Sequence, residues 1–130
     1  EKRMAGFSDY LENAVLGYVF SGASFSQPGT KYLALYTTAP TDAGGGTELS
    51  GSAYARQSCA FTTTGAQATN GSAVEWPTAT GSWGTVVAVG VFDASSSGNL
   101  LAWNNLTASK TIATGDVFRI NAGDLDIDLD

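Results

Sequence analysis

The sequence predicts a mainly β protein: an antiparallel β-sandwich, jelly-roll-like or immunoglobulin-like, with one N-terminal α-helix. It is read as a single domain over residues 1–130, with a helix or arm at about 8–21. Three observations lead there. Short apolar stretches with period-two alternation recur along the chain, separated by turn residues. Glycine is abundant, 16 of 130 residues, and charged residues make up only 14%, a composition suited to strands and turns. Sustained helical spacing occurs once, near the N-terminus.

The helix spans residues 8–20 (SDYLENAVLGYVF). Ser8 is placed to cap it, and Asp9 and Glu12 suit its positive end. Leu11, Ala14, Val15 and Tyr18 recur at helical spacing on one apolar face, and Gly22 is the expected stop. Residues 31–37 (KYLALYT) then alternate as a strand. Tyr32, Ala34 and Tyr36 face one way; Leu33 and Leu35 face the other. Both faces are apolar, so this strand is expected to be central and covered on both sides. Pro40 ends it, and residues 41–46 (TDAGGG) form a loop expected to be flexible.

Residues 52–63 read as the next strand, with Tyr54 and Arg56 sharing a face. Residues 72–76 form a short strand that Pro77 ends. Residues 85–93 (TVVAVGVFD) give the strongest strand signal. Val87, Val89 and Val91 are assigned to one face, and Val86, Ala88 and Phe92 to the other. Gly90 marks a close backbone approach. A hairpin loop at 94–99 leads into a strand at 100–104, and a further strand is expected at 117–120.

The chain closes on Asp124, Asp126, Asp128 and Asp130, alternating with Leu125, Ile127 and Leu129. Carboxylates could hold calcium, but a period of two lays all four along one strand face. The run has no bend and no interior glycine to curl ligands around an ion. It reads as the solvated face of a half-buried strand, and no metal site is assigned.

Composition excludes several function classes. The formal net charge is −6, and no basic run exists to neutralise phosphates, so nucleic-acid binding is not expected. No apolar run approaches the length of a membrane span, and residues 1–4 lack the apolar core of a signal peptide. Met4 is a candidate natural start, and whether residues 1–3 are native is left open. Histidine is absent, which removes the commonest general base and metal ligand. The lone Cys59 cannot form an intrachain disulfide and has no histidine to activate it. It reads as a small core residue, with an intermolecular disulfide left open. Gly44, Gly45 and Gly46 are followed by Thr47 and Glu48, not by the lysine of a phosphate-binding loop. Glu48, Glu75 and Asp93 show no spacing that pairs two carboxylates for hydrolysis. No catalytic residue and no cofactor are assigned, and the protein is not read as an enzyme. Trp76, Trp83 and Trp103 read as core or interface anchors; exposed in a groove, they would instead offer sugar-stacking platforms.

Several segments together resemble a family of small tailed-phage virion structural proteins. They are SDYLEN at 8–13, YLALYTTAPTD at 32–42 with its glycine-rich loop, Gly51 with YARQ at 54–57, WPTAT at 76–80, Trp83 with Gly84, GVFD at 90–93 and AGDLD at 122–126. The likeness runs from about Phe7 to the end. Members are often called tail-fibre or minor structural proteins; capsid cement or decoration proteins are similar in size and composition. The resemblance implies a non-enzymatic virion protein. The first expectation is a cement or decoration subunit on the capsid exterior, binding the major capsid protein and copies of itself. The alternative is a tail fibre, baseplate or minor tail protein that contacts tail proteins and binds a host receptor or glycan. Interface candidates are Phe7, Tyr10, Leu11 and Trp83.

Overall fold

The computed structural model describes residues 6–128. Expectations for residues 1–4, Leu129 and Asp130 lie outside the described residues. Eleven strands and one helix follow in order: β1 (Gly6–Phe7), α1 (Asp9–Phe20), β2 (Lys31–Thr38), β3 (Thr47–Glu48), β4 (Gln57–Cys59) and β5 (Phe61–Thr64). Then come β6 (Gln67–Asn70), β7 (Val74–Glu75), β8 (Gly84–Phe92), β9 (Leu100–Ile112), β10 (Arg119–Ile120) and β11 (Asp126–Asp128).

All pairings are antiparallel. The main sheet runs β1-β9-β8-β2-β3, with β4 also on β2. Two smaller sheets, β11-β6-β5 and β10-β7, form the opposing layer. The main core lies between the layers. Leu33, Leu35, Val89, Val91 and Leu101 of the main sheet meet Val74, Trp76, Phe118 and Ile120, with Phe61 and Ile127 partly buried against them. The other face of the main sheet carries a thinner cluster of Ala34, Tyr36, Ala88, Phe92 and Leu100.

The central strand is as the alternation of its side chains requires. β2 is hydrogen-bonded to β8 on one side and to β3 and β4 on the other. Leu33 and Leu35 enter the main core while Ala34 and Tyr36 enter the outer cluster. The β8 faces differ from the sequence assignment at one end. Val86 joins Val89 and Val91 in the main core, and Val87 joins Ala88 and Phe92 outside. The cause is a register shift against β9 between Val86 and Ala88, where Val86 pairs Lys110 but Ala88 pairs Asn105. Such an irregularity breaks the side-chain alternation. At Gly90 a Cβ would lie 2.9 Å from the Tyr36 ring and 3.1 Å from Leu100. The glycine therefore makes room for an aromatic ring, not for a second backbone.

The expected strand over 52–63 is divided. Ser52 (φ 51°) and Ala53 (φ 71°) sit in left-handed turn geometry, and β4 and β5 join different sheets. The acidic C-terminal run behaves as its period predicts over the described residues. Leu125 is buried, Ile127 packs on the core, and Asp126 and Asp128 pair in register with Thr69 and Gln67.

Candidate functional site

Helix α1 is fastened by its first turn. The Ser8 hydroxyl accepts from the Leu11 amide at 3.2 Å and donates to the Leu100 carbonyl. The Ser8 amide donates to Leu101 O at 2.8 Å, and the Asp9 amide to Asp42 O at 2.9 Å. The rest of the helix leaves the body of the protein: none of its residues is fully buried. Leu16, Tyr18 and Val19 are exposed, and Phe20 is 79% exposed. Leu11, Ala14 and Val15 keep a half-buried face, but so much exposed apolar surface on one helix is unusual for an isolated domain.

Beside that first turn is an open cleft of about 480 Å³. Tyr36 and Phe92 lie at its base, residues 42–46 and 98–100 line its sides, and Asp9 and Tyr10 close it from the helix. The glycine-rich side is more ordered than its composition suggested. Thr41 and Gly44 exchange backbone hydrogen bonds of 2.9 and 2.8 Å, and the Thr41 hydroxyl donates to Gly44 O. Gly46 has φ 74°, and a Cβ there would come within 2.6 Å of Thr38 O. Only glycine fits that corner. Asp42 is held from outside by Trp103, whose indole Nε1 donates to Oδ1 at 2.9 Å.

A polar cluster braces the cleft from behind. Arg56 grips Glu48 with Nε on Oε2 and Nη2 on Oε1, both at 2.9 Å. Its Nη1 also donates to Ala94 O and Ser97 O, and the guanidinium lies 3.8 Å from the Phe92 ring centroid. The Tyr54 hydroxyl donates to Glu48 Oε2 at 2.7 Å and accepts from the Leu35 amide. The cluster ties β3 to the 94–99 loop. Burial alone would raise the Glu48 carboxyl, but its bonds from Arg56 and Tyr54 prevail and hold it below its ordinary 4.5. Burial and the nearby Glu48 charge push the Tyr36 hydroxyl up to about 12.

The lowered Glu48 value sets a direction for acid stability. Ionised Glu48 contributes stability that is fully present above pH 4.5 and is lost as pH falls through its lowered folded value. Thermal unfolding followed against pH should therefore show a falling Tm below about pH 4.5. Glu48→Gln should flatten that fall; an unchanged acid slope in the variant would contradict the assignment.

The four interface candidates separate. Tyr10 is 41% exposed at the cleft rim. Phe7 is half-buried and pairs with Ala102 at the sheet edge. Leu11 is half-buried against the core. Trp83 is only 5% exposed, with Nε1 donating to Ser52 O at 2.9 Å and its ring edge-on to Tyr54. It lies in the core, held by the indole's bond to Ser52 and by its amide, which donates to Ile112 O at 2.9 Å. Trp76 is likewise buried and Trp103 half-buried, so neither of the two core indoles offers a stacking platform. Cys59 is buried, and burial pushes its thiol up to about 11. Among the described residues no group of three or more His, Cys, Asp or Glu is placed to hold a metal ion. No helix among them is long and apolar enough to cross a membrane.

The fold and surface are those of a small antiparallel β protein with a protruding apolar helix, a form suited to assembly. The chain belongs to the family described as podophage GP4 fiber I protein gp80, which it matches over residues 6–128. It is thus a member of a tailed-phage virion structural protein family. No curated protein sequence matches it.

Proposed function

We propose that the chain is a non-enzymatic structural subunit of a phage tail fibre. The family match over residues 6–128 carries this reading. Its description speaks of a fibre, which favours the tail over the capsid exterior. A cement role on the major capsid protein has no comparable support.

A fibre subunit must meet copies of itself and neighbouring tail proteins. The outer part of α1 supplies apolar surface for that purpose, in Leu16, Tyr18, Val19 and Phe20. Replacing Val19 and Phe20 together by glutamate should change the stability of the isolated chain by no more than about 0.5 kcal/mol, since both are exposed. The same change should strip the chain from virions. Full incorporation of the double variant would exclude α1 as the attachment surface.

The location itself is tested by cryo-electron microscopy of purified virions, with copy number from quantitative mass spectrometry. Density confined to the tail, with a handful to tens of copies, is the expected result. Density tiling the head in icosahedral symmetry, with hundreds of copies, would return the protein to the cement class.

A further inference from the structure

We propose that the outer end of α1 docks on a second copy of this chain, in a groove between the irregular stretch of β9 and residues 118–125. The groove has a volume of about 250 Å³, which takes side chains but not a whole helix. Its floor is apolar. Val89, Phe118, Ile120 and Leu125 of the main core reach it, together with the half-buried Leu106. The register shift in β9 accounts for the opening. Val86 pairs Lys110 while Ala88 pairs Asn105, so residues 106–109 stand opposite Val87 alone and cannot all lie in the ladder. The gap between the two layers is therefore left accessible on this side.

Charge selects the occupant. The chain carries a net −6, yet two of the four lysines and arginines within residues 6–128, Lys110 and Arg119, line this groove against a single acid, Asp124. Of the other two, Arg56 is held by Glu48. The groove thus favours a partner that presents apolar anchors with a carboxylate beside them. The free side of α1 has that form. Glu12, Leu16, Val19 and Phe20 stand at i, i+4, i+7 and i+8, on one stripe about 12 Å long. Leu16 is 55% exposed, Val19 59% and Phe20 79%, while Leu11 on the opposite side packs on the core.

Stripe and groove are both open in the same subunit, so the contact joins two copies. The two surfaces differ, which makes the contact head-to-tail: each subunit gives α1 to one neighbour and receives α1 from another. Apolar side chains of the stripe fill the floor, and Glu12 meets Lys110 at the rim. The inference rests on the reading of α1 as an assembly surface and adds the surface that receives it.

The test is analytical ultracentrifugation of the full chain from micromolar to millimolar concentration. The parent should grow in mass as concentration rises. A helix variant, Val19→Glu with Phe20→Glu, should stay monomeric. So should a groove variant, Ala108→Glu with Lys110→Glu, whose two positions are exposed. Mixed together, these two variants should form a one-to-one dimer and nothing larger, because one keeps only the groove and the other only the helix. Glu12→Lys should weaken association about three- to tenfold, and adding Lys110→Glu to it should recover a large part of the loss. The proposal is overturned if the parent stays monomeric at millimolar concentration, if the groove variant associates as the parent does, if the mixture forms no dimer, or if the charge exchange recovers nothing. Association in solution tests the groove and the virion tests the location, so the two readings can fail separately. A chain that is monomeric in solution, yet loses its place in virions when Val19 and Phe20 are replaced, would seat α1 on a different tail protein.

Discussion

Trp76→Ala is expected to lower the unfolding free energy by about 3–5 kcal/mol, the largest effect of any single substitution in this protein. Trp76 is 2% exposed and lies in the main core, edge-on to Phe118 with ring centroids 5.4 Å apart. Its amide also donates to Phe118 O at 2.9 Å, so the indole stands where the small β7–β10 sheet is fastened. Truncation removes the ring and leaves a cavity between two layers that are themselves fixed by backbone ladders and can collapse little. Urea unfolding should show a lower midpoint with an unchanged slope. A loss below about 1 kcal/mol would mean that the layers close over the gap.

Arg56→Ala should cost about 3 kcal/mol, the lower end of what breaking a buried ion pair costs. The guanidinium is 8% exposed and its Glu48 partner 25%. Its removal leaves the carboxylate beside Tyr54 and Tyr36 without its cation, and frees the Ala94 and Ser97 carbonyls. The pair itself is not the source of most of that cost; an uncompensated half-buried charge is. Arg56→Met combined with Glu48→Gln should therefore recover a large part of the loss in a double-mutant cycle. If the double variant is as unstable as Arg56→Ala, the loss comes from the freed loop instead.

The elements that could be read from the sequence are those whose burial is periodic. α1, β2 and the β8–β9 hairpin show their spacing directly in residues 8–20, 31–37 and 85–104. β1 is two residues long and too short to carry a pattern. The second half of β9, from Asn105 to Thr111, is polar because most of it faces solvent, so no alternation announces it. The exchange of faces at Val86 and Val87 follows from a register shift, which belongs to two strands together and is written in neither alone.

The cleft was hidden for the same reason. Asp9, Tyr36, Asp42, Phe92 and Asn99 come from distant parts of the chain and share no motif. Its one local sign was the run of three glycines, which reads equally well as an idle loop. The tryptophans read as anchors of either the core or an interface, with Trp83 alone named as an interface candidate. Their large apolar area marks them as anchors, but only the packed layers determine that Trp76 and Trp83 anchor the core and not a partner.

The first turn of α1 has two occupations. Ser8 and Asp9 moor the helix to β9 and to the Asp42 carbonyl, while Asp9 and Tyr10 form a side of the cleft. A neighbour that grasps the outer helix and tilts it must also displace those two side chains. The mooring therefore makes the helix a lever whose outer end and cleft wall move together.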